Sequence, residues 1–315
     1  MTGETKDHRG GPERRPDPHS SPPASRPRTP RPPTATDDAR GRFRQLDSYR
    51  VSREWDRYEG TAQRRLFREL RARFLDRHAA GGGWVLDLGS GPGRFLPHVG
   101  TAGSRRVALD LSVEMLRRVE RQGRAAPDLV RGDGLHPPFR RGAFGEVVVL
   151  GNALGFAGPE ADHLWLAAGE LLAPGGILIL EIVAGAGERA RYLCRLPAST
   201  LGRLLHAPVS VVLRRVEQEG FAQDPPRRSD PGAFRRYDPD ALKEEVVRRG
   251  WWVEETMAVA PVLGGDRERV ESVATDPVAW THLLELEEQV GHREERTRRA
   301  AAVLLAIRVP PLGSA

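Results

Sequence analysis

Trp84-Val85-Leu86-Asp87-Leu88-Gly89-Ser90-Gly91-Pro92-Gly93-Arg94-Phe95 is the stretch whose reading decides the fold. A short β-prone apolar run enters a glycine-dense turn, and an amphipathic segment follows, so the expected unit is strand, tight loop, helix. Gly89, Gly91 and Gly93 supply positions of positive φ or of close ligand approach within five residues. A dinucleotide fingerprint, G-x-G-x-x-G, needs its third glycine where this chain has Arg94. The spacing here is G-x-G-x-G, and Asp87 stands two residues ahead of the first glycine. A carboxylate at that point suits a ligand carrying a cation, such as an amino-acid ammonium, better than a diphosphate.

Acids recur downstream at the ends of further strand candidates. Arg105-Arg106-Val107-Ala108-Leu109-Asp110-Leu111-Ser112 reads as a second strand closing on Asp110, roughly twenty residues after the first, where a nucleoside site places an acceptor for ribose hydroxyls. Asp110 could instead cap a helix over 113–122, although Ser112 can fill that position. A third strand, 128–133, closes on Asp133 ahead of Gly134, and Asp133 on its own also reads as an ordinary turn residue. A fourth, 146–150, opens into Gly151-Asn152-Ala153-Leu154-Gly155-Phe156.

This series resembles the class I S-adenosylmethionine-dependent methyltransferases, with motif I at residues 85–95 and good coverage over 83–183. The resemblance implies S-adenosyl-L-methionine as cofactor and a Rossmann-like α/β fold. That fold is a doubly wound, mostly parallel seven-stranded sheet with an antiparallel last strand. The cofactor set it implies is Asp87, Gly89, Ser90, Gly91 and Gly93 in motif I, and Asp110 with Leu111 at the ribose. Asp133 and Gly134 would meet the adenine, and Leu150 with Asn152 the sulfonium end. Tyr58, in the aromatic entry segment Trp55-Asp56-Arg57-Tyr58, would lie near the methionine end with Arg57 near its carboxylate; packing against the core is the alternative for these aromatics.

The chain has 315 residues and 39% apolar content, enough for one large core with insertions. It has no apolar run long enough to span a membrane and no apolar region behind the N-terminal charges, so neither a spanning segment nor a secretory signal is expected. A single cysteine, Cys194, fits a reducing cytoplasm, and no Cys/His spacing suggests a metal site. Residues 1–42 are rich in Pro, Arg, Ser and Thr and nearly devoid of apolar side chains, so this tail is expected to be disordered. Of 49 basic and 43 acidic residues, ten and six lie before Leu46, so the remaining body is almost balanced. A pI near 10 therefore argues only weakly for nucleic acid.

The expected domain runs over 43–310. Helical spacing covers 47–78, 113–122, 161–172, 241–249 and 276–290, and the run 177–183 reads as a strand buried on both faces in a parallel sheet. Pro174-Gly175-Gly176 reads as the turn ahead of it. Residues 184–236 read as an insertion of two short helices capping the site, and 262–299 as a second insertion between strands at 251–260 and 300–309. The helix at 276–290 is either a cap or an oligomer contact.

Methyl transfer from a sulfonium is an in-line displacement with an already activated donor, so the protein mainly aligns the partners and excludes water. No general base is required, and His163 and Tyr237 are only weak candidates, followed by His136 and His206. After the fourth strand the chain lacks the Asn/Asp-Pro-Pro-aromatic motif of exocyclic-amine enzymes, and Cys194 is not in a Pro-Cys setting. A small-molecule acceptor is the leading expectation. The alternatives are an RNA or protein methyltransferase, a non-catalytic cofactor-binding module, or an oxidoreductase reading the same turn.

Overall fold

Asp87 lies one residue inside the end of the central strand β1 (Trp84–Leu88), so the turn that follows opens at the carboxyl edge of the sheet. In this computed structural model the described residues are 59–121, 127–151, 153–184, 191–194, 196–219, 221–224, 235–298 and 300–311, with Ser52 and Asp56 ahead of them. All fall within one unit, 34–315. The tail 1–42, Tyr58 with its neighbours Trp55 and Arg57, and Asn152 lie outside the described residues.

Strand β1 pairs in parallel with β2 (Arg105–Asp110) on one side and β4 (Phe144–Val149) on the other. β3 (Asp128–Arg131) joins β2 in parallel, and β5 (Leu172–Val183) joins β4 in parallel. β9 (Ala302–Arg308) runs antiparallel between β5 and β8 (Trp252–Ala258), giving the order β3-β2-β1-β4-β5-β9-β8. The expected seven-stranded Rossmann-like sheet with an antiparallel last strand is therefore present. Both faces are covered, which is why the central strands are apolar on both sides.

Alternation along the strands divides the core. Val85, Val148, Ile177, Ile179, Leu304 and Ala306 face helix α1 (Ala62–His78), whereas Leu86, Leu88, Val147, Val149, Leu178 and Leu305 face the opposite layer. That layer holds α4 (Ala161–Glu170) and α7 (Pro239–Arg248), with a short α3 (Ala153–Phe156) after β4; α2 (Val113–Glu120) packs on the other face, where its Leu116 and Val119 meet Ala108 of β2. Ser112 caps α2, its hydroxyl accepting from the Met115 amide at 3.3 Å, and Asp238 and Asp276 cap α7 and α9 (Pro277–Gly291) in the same way.

The structure corrects several expectations. No α-helix follows the glycine loop; one 3₁₀ turn, Leu96–His98, stands there. Pro97 and the positive-φ Gly100 leave too few helix-competent residues before β2 for a longer helix. Pro174-Gly175-Gly176 lies inside β5, where the pairing jumps from Phe144↔Leu172 to Glu146↔Ile177; this is a bulge, not a turn ahead of the strand. The run of β5 is also not purely apolar in its setting, because Glu181 is buried within it.

Within 184–236, read from the sequence as an insertion of two short helices, stand α5 (Ala198–Leu204) and α6 (Val209–Glu219), together with an unexpected two-stranded antiparallel pair, β6 (Arg191–Cys194) and β7 (Phe221–Asp224). The second insertion carries α8 (Arg267–Val273), α9 and α10 (Glu294–Thr297). Leu201, Leu205, Val212 and Val216 of the first insertion share one core with Val270, Trp280, Leu283 and Leu284 of the second and with Leu66 and Leu70 of α1. The two insertions thus form a joint helical layer on one face of the sheet, and α9 is buried in it. Among the described residues no helix is long and apolar enough to cross a membrane.

Candidate functional site

The loop after β1 is folded back onto β2 by its own backbone. The Gly89 and Ser90 amides both donate to the Leu109 carbonyl, at 2.8 and 3.0 Å, and Gly93 N–H donates to the Ser90 carbonyl at 3.0 Å. Gly89 has φ +77°, and a Cβ there would stand 2.9 Å from the Ala153 Cβ, so both conformation and space require glycine. At Gly91, φ is +54° and a Cβ would meet nothing within 4 Å, because that side of the loop is the open cavity.

Asp110 ties this loop to the next. One carboxylate oxygen accepts from Gly91 N–H at 2.8 Å and the other from Ser112 N–H at 2.8 Å, while its carbonyl accepts from Gly132 at 3.1 Å. This tie between the loops is compatible with the ribose reading, since each oxygen keeps a lone pair for a ligand hydroxyl. Ser112, not Asp110, supplies the side-chain cap of α2. Asp133 accepts from its own loop, Leu135 N–H at 3.1 Å, as the turn reading anticipated.

Asp87, Gly89, Ser90, Gly91, Asp110, Leu111, Asp133, Gly134, Leu150 and Gly151 all line one cavity at the carboxyl edge of the sheet. Three strand-end acids thus converge there, as neighbouring parallel strands require. Gly93 is set behind the lining and packs against Val119 and Leu96. Asp87 is only 4% exposed, and among the described residues its carboxylate accepts no hydrogen bond. Burial, with Asp110 and Glu146 nearby, pushes it up to about 7. Burial also raises Asp110, against the lowering effect of its backbone donors from Ser112, Gly91 and Leu111. The Ser90 hydroxyl is buried with no hydrogen-bond partner among the described residues.

Sequence reasoning missed the apolar half of the cavity: Phe95, Leu109, Met115, Leu135, Phe156, Ala157 and Leu164. Their periodicity marked them as core, and only the closure of the sheet edge separates lining from filling. It also left Arg94 as a mere departure from a fingerprint. Arg94 lines the cavity, and its guanidinium is held by Glu59 at 2.6 Å, which also takes Arg68 at 2.7 Å.

The weak catalytic candidates lie elsewhere. His163 is exposed on α4 and, with His136 and Glu160, lines a separate shallow depression. Tyr237 is buried where its segment bridges Ala184, and its hydroxyl donates to Asp162 at 3.0 Å. Burial and Asp162 hold that phenol above its ordinary value, so it is a poor proton acceptor. His206 pairs with Asp276 at 3.2 Å, away from the cavity. Among the described residues no group of three His, Cys, Asp or Glu side chains could hold a metal ion.

Residues 86–180 match the family model for a methyltransferase domain. That match makes this segment a methyltransferase domain, in agreement with the sheet order and the loop after β1. The structure is similar to that of the DhpI–SAM–HEP complex, at 16% identity over 88% of this chain and 98% of that one, with a TM-score of 0.50. It is also similar to magnesium protoporphyrin IX methyltransferase (ChlM) from Synechocystis PCC 6803 with bound SAH, at 14% identity over 88% and 100% of the chains, TM-score 0.48. A third is Burkholderia thailandensis 1,6-didemethyltoxoflavin-N1-methyltransferase with bound 1,6-didemethyltoxoflavin and S-adenosylhomocysteine, at 14% identity over 87% of each chain, TM-score 0.46. No curated protein matches this chain.

Proposed function

We propose that the cavity at the sheet edge holds S-adenosylmethionine and that the domain, residues 43–310, transfers its methyl group to a small molecule. The observation that carries this reading is the convergence of Asp87, Asp110 and Asp133 on one cavity, with Asp87 buried and unpaired. An ionised carboxylate without a partner is costly in a low-dielectric site, and a ligand cation removes that cost. The amino-acid ammonium suits Asp87, the ribose hydroxyls suit the free lone pairs of Asp110, and the adenine amino group suits Asp133 with Gly134 behind it. The orphaned Ser90 hydroxyl and the open side of Gly91 fit the methionine end, and Met115, Leu135 and Leu164 offer apolar faces to the adenine. Leu150 and Gly151 would flank the sulfonium, with Asn152 and Tyr58 completing the set from outside the described residues.

Bound there, the cofactor supplies an activated methyl group for in-line displacement. The chain's own work is then binding, alignment and exclusion of water. With His163 facing away and Tyr237 tied to Asp162, no described side chain of the cavity is placed as a general base, so an acceptor already nucleophilic fits best. A small acceptor is supported by the charge balance of the body outside the tail and by the absence of a base-stacking motif after β4.

Calorimetry with S-adenosylmethionine, S-adenosylhomocysteine and NAD tests the cofactor, with binding of the first two and not the third expected. Following labelled methyl groups into a cell extract then reports the acceptor's size class. Label in RNA or protein, with tRNA affinity that falls steeply with salt and is lost on removing residues 1–42, would replace the small-molecule reading.

A further inference from the structure

Glu181 is a charged residue buried inside strand β5, and one of its partners belongs to the cavity wall. Its side chain lies on the α1 face, by the same alternation that puts Ile177 and Ile179 there. One carboxylate oxygen accepts from Arg71 Nε at 2.9 Å and the other from Arg71 Nη2 at 2.5 Å, a two-pronged pair whose side chains are 7% and 6% exposed. Arg71 is fixed in turn on α1, where Nη1 donates to the Phe67 carbonyl at 2.8 Å. The oxygen that receives Nε also accepts from the backbone N–H of Gly151 at 3.1 Å. Gly151 is the first residue after Leu150 at the end of β4, has φ +66°, and lines the cavity.

A buried ion pair is weak evidence of stability, because apolar side chains of similar volume often serve as well. Its justification must then be something apolar groups cannot do. Holding a backbone amide in a left-handed turn is such a task, since only an acceptor can satisfy that N–H away from water.

The direction of the turn matters through the order of the sheet. If adenine lies at β3 and ribose at β2, the cofactor runs along the edge past β1 toward β4, and its amino-acid end, with the sulfonium two methylenes behind the ammonium-bearing carbon, comes up to the next strand end, at Leu150 and Gly151. We infer that Glu181, braced by Arg71, is a positioning residue: it sets the β4 loop against the amino-acid and sulfonium end of the cofactor. This rests on the cofactor reading above and deepens it.

The test compares two ligands on the full chain. S-adenosylhomocysteine carries the amino-acid end that would meet the β4 loop, whereas 5′-methylthioadenosine keeps the sulfur and lacks that end. The double variant Arg71→Met/Glu181→Leu replaces the pair by apolar groups of similar size. Its melting temperature is expected to stay close to the parent's, while the Gly151 amide loses hydrogen-exchange protection and S-adenosylhomocysteine affinity falls about tenfold, roughly the loss of one fixed contact. Affinity for 5′-methylthioadenosine is expected to stay within about twofold. Glu181→Gln, which keeps an oxygen for Gly151, should retain the preference for S-adenosylhomocysteine, and it carries the test alone if the double variant does not fold. Equal losses for both ligands, or a fall in melting temperature with unchanged ligand preference, would overturn the inference and leave the pair structural. Failure of the parent to bind either ligand would instead strike the cofactor reading, which is visible before any variant is made.

Discussion

Asp87→Asn keeps the shape of the cavity and removes its unpaired charge. Because burial and neighbouring acids push Asp87 up to about 7, the empty site is largely protonated at about pH 6 and largely ionised at about pH 8. If only the ionised form receives the ammonium, the apparent affinity is the intrinsic one multiplied by the ionised fraction, and it drops about tenfold over those two pH units. Binding at about pH 6 then releases close to one proton, because the ligand pulls the carboxylate back to its charged form. The sign for the empty fold is opposite. Its folded value lies above the unfolded value of 3.8, so this group's contribution to stability is present below that value and is lost as pH rises toward 7. Calorimetry of S-adenosylhomocysteine across this range, in buffers of different ionisation enthalpy, measures both affinity and proton release. The Asn variant should bind roughly 10–100-fold more weakly at about pH 8, the loss of a charge-assisted bond, and should show little slope with pH. Asp110 is also raised by burial, so the variant is what isolates Asp87. Parent binding that is flat between these pH values, or a variant that keeps the parent's slope, would refute the assignment of Asp87 to the cation.

Further outcomes follow from the same geometry. Asp110→Ala removes the acceptor for both Gly91 and Ser112 amides and the ribose hydroxyls, and should weaken S-adenosylhomocysteine by about an order of magnitude or more in calorimetry; unchanged affinity would reduce Asp110 to a loop staple. Gly89→Ala forces a side chain at φ +77° against Ala153, and should lower cofactor affinity with a loss of roughly 1–3 kcal/mol in urea unfolding. Glu287→Ala strands the Val262 and Leu263 amides, each now bound to the buried carboxylate at 2.7 Å, and should cost about 2–4 kcal/mol by the same measurement. Leu283→Ala, in the layer shared by the two insertions, should cost about 2–5 kcal/mol in one cooperative transition; a separate early transition would show that this layer folds independently.

The run from Trp84 to Phe95, with acids closing the next two strands, was enough to read the sheet class and the cofactor class. Period-two apolar runs, glycines forced by positive φ, and cap residues are local signals, and a local chain carries them in full. Helix α9 was equally legible from its Asp-Pro start and its apolar spacing, yet its place was not: whether that face met a partner or a second insertion depended on residues 201–216 folding beside it. The bulge at Pro174-Gly175-Gly176 was set by the pairing of β5 with β4, which overrode the local pattern, whereas the missing helix after the glycine loop follows from Pro97 and Gly100 themselves. Only the tertiary structure separated cavity lining from core at Met115, Leu135 and Leu164, turned His163 away, and brought Glu181, Arg71 and Gly151 together across 110 positions of sequence. Residue types and spacing declare what a segment can form, but burial, desolvation and the pairing of distant charges exist only once the strands lie side by side.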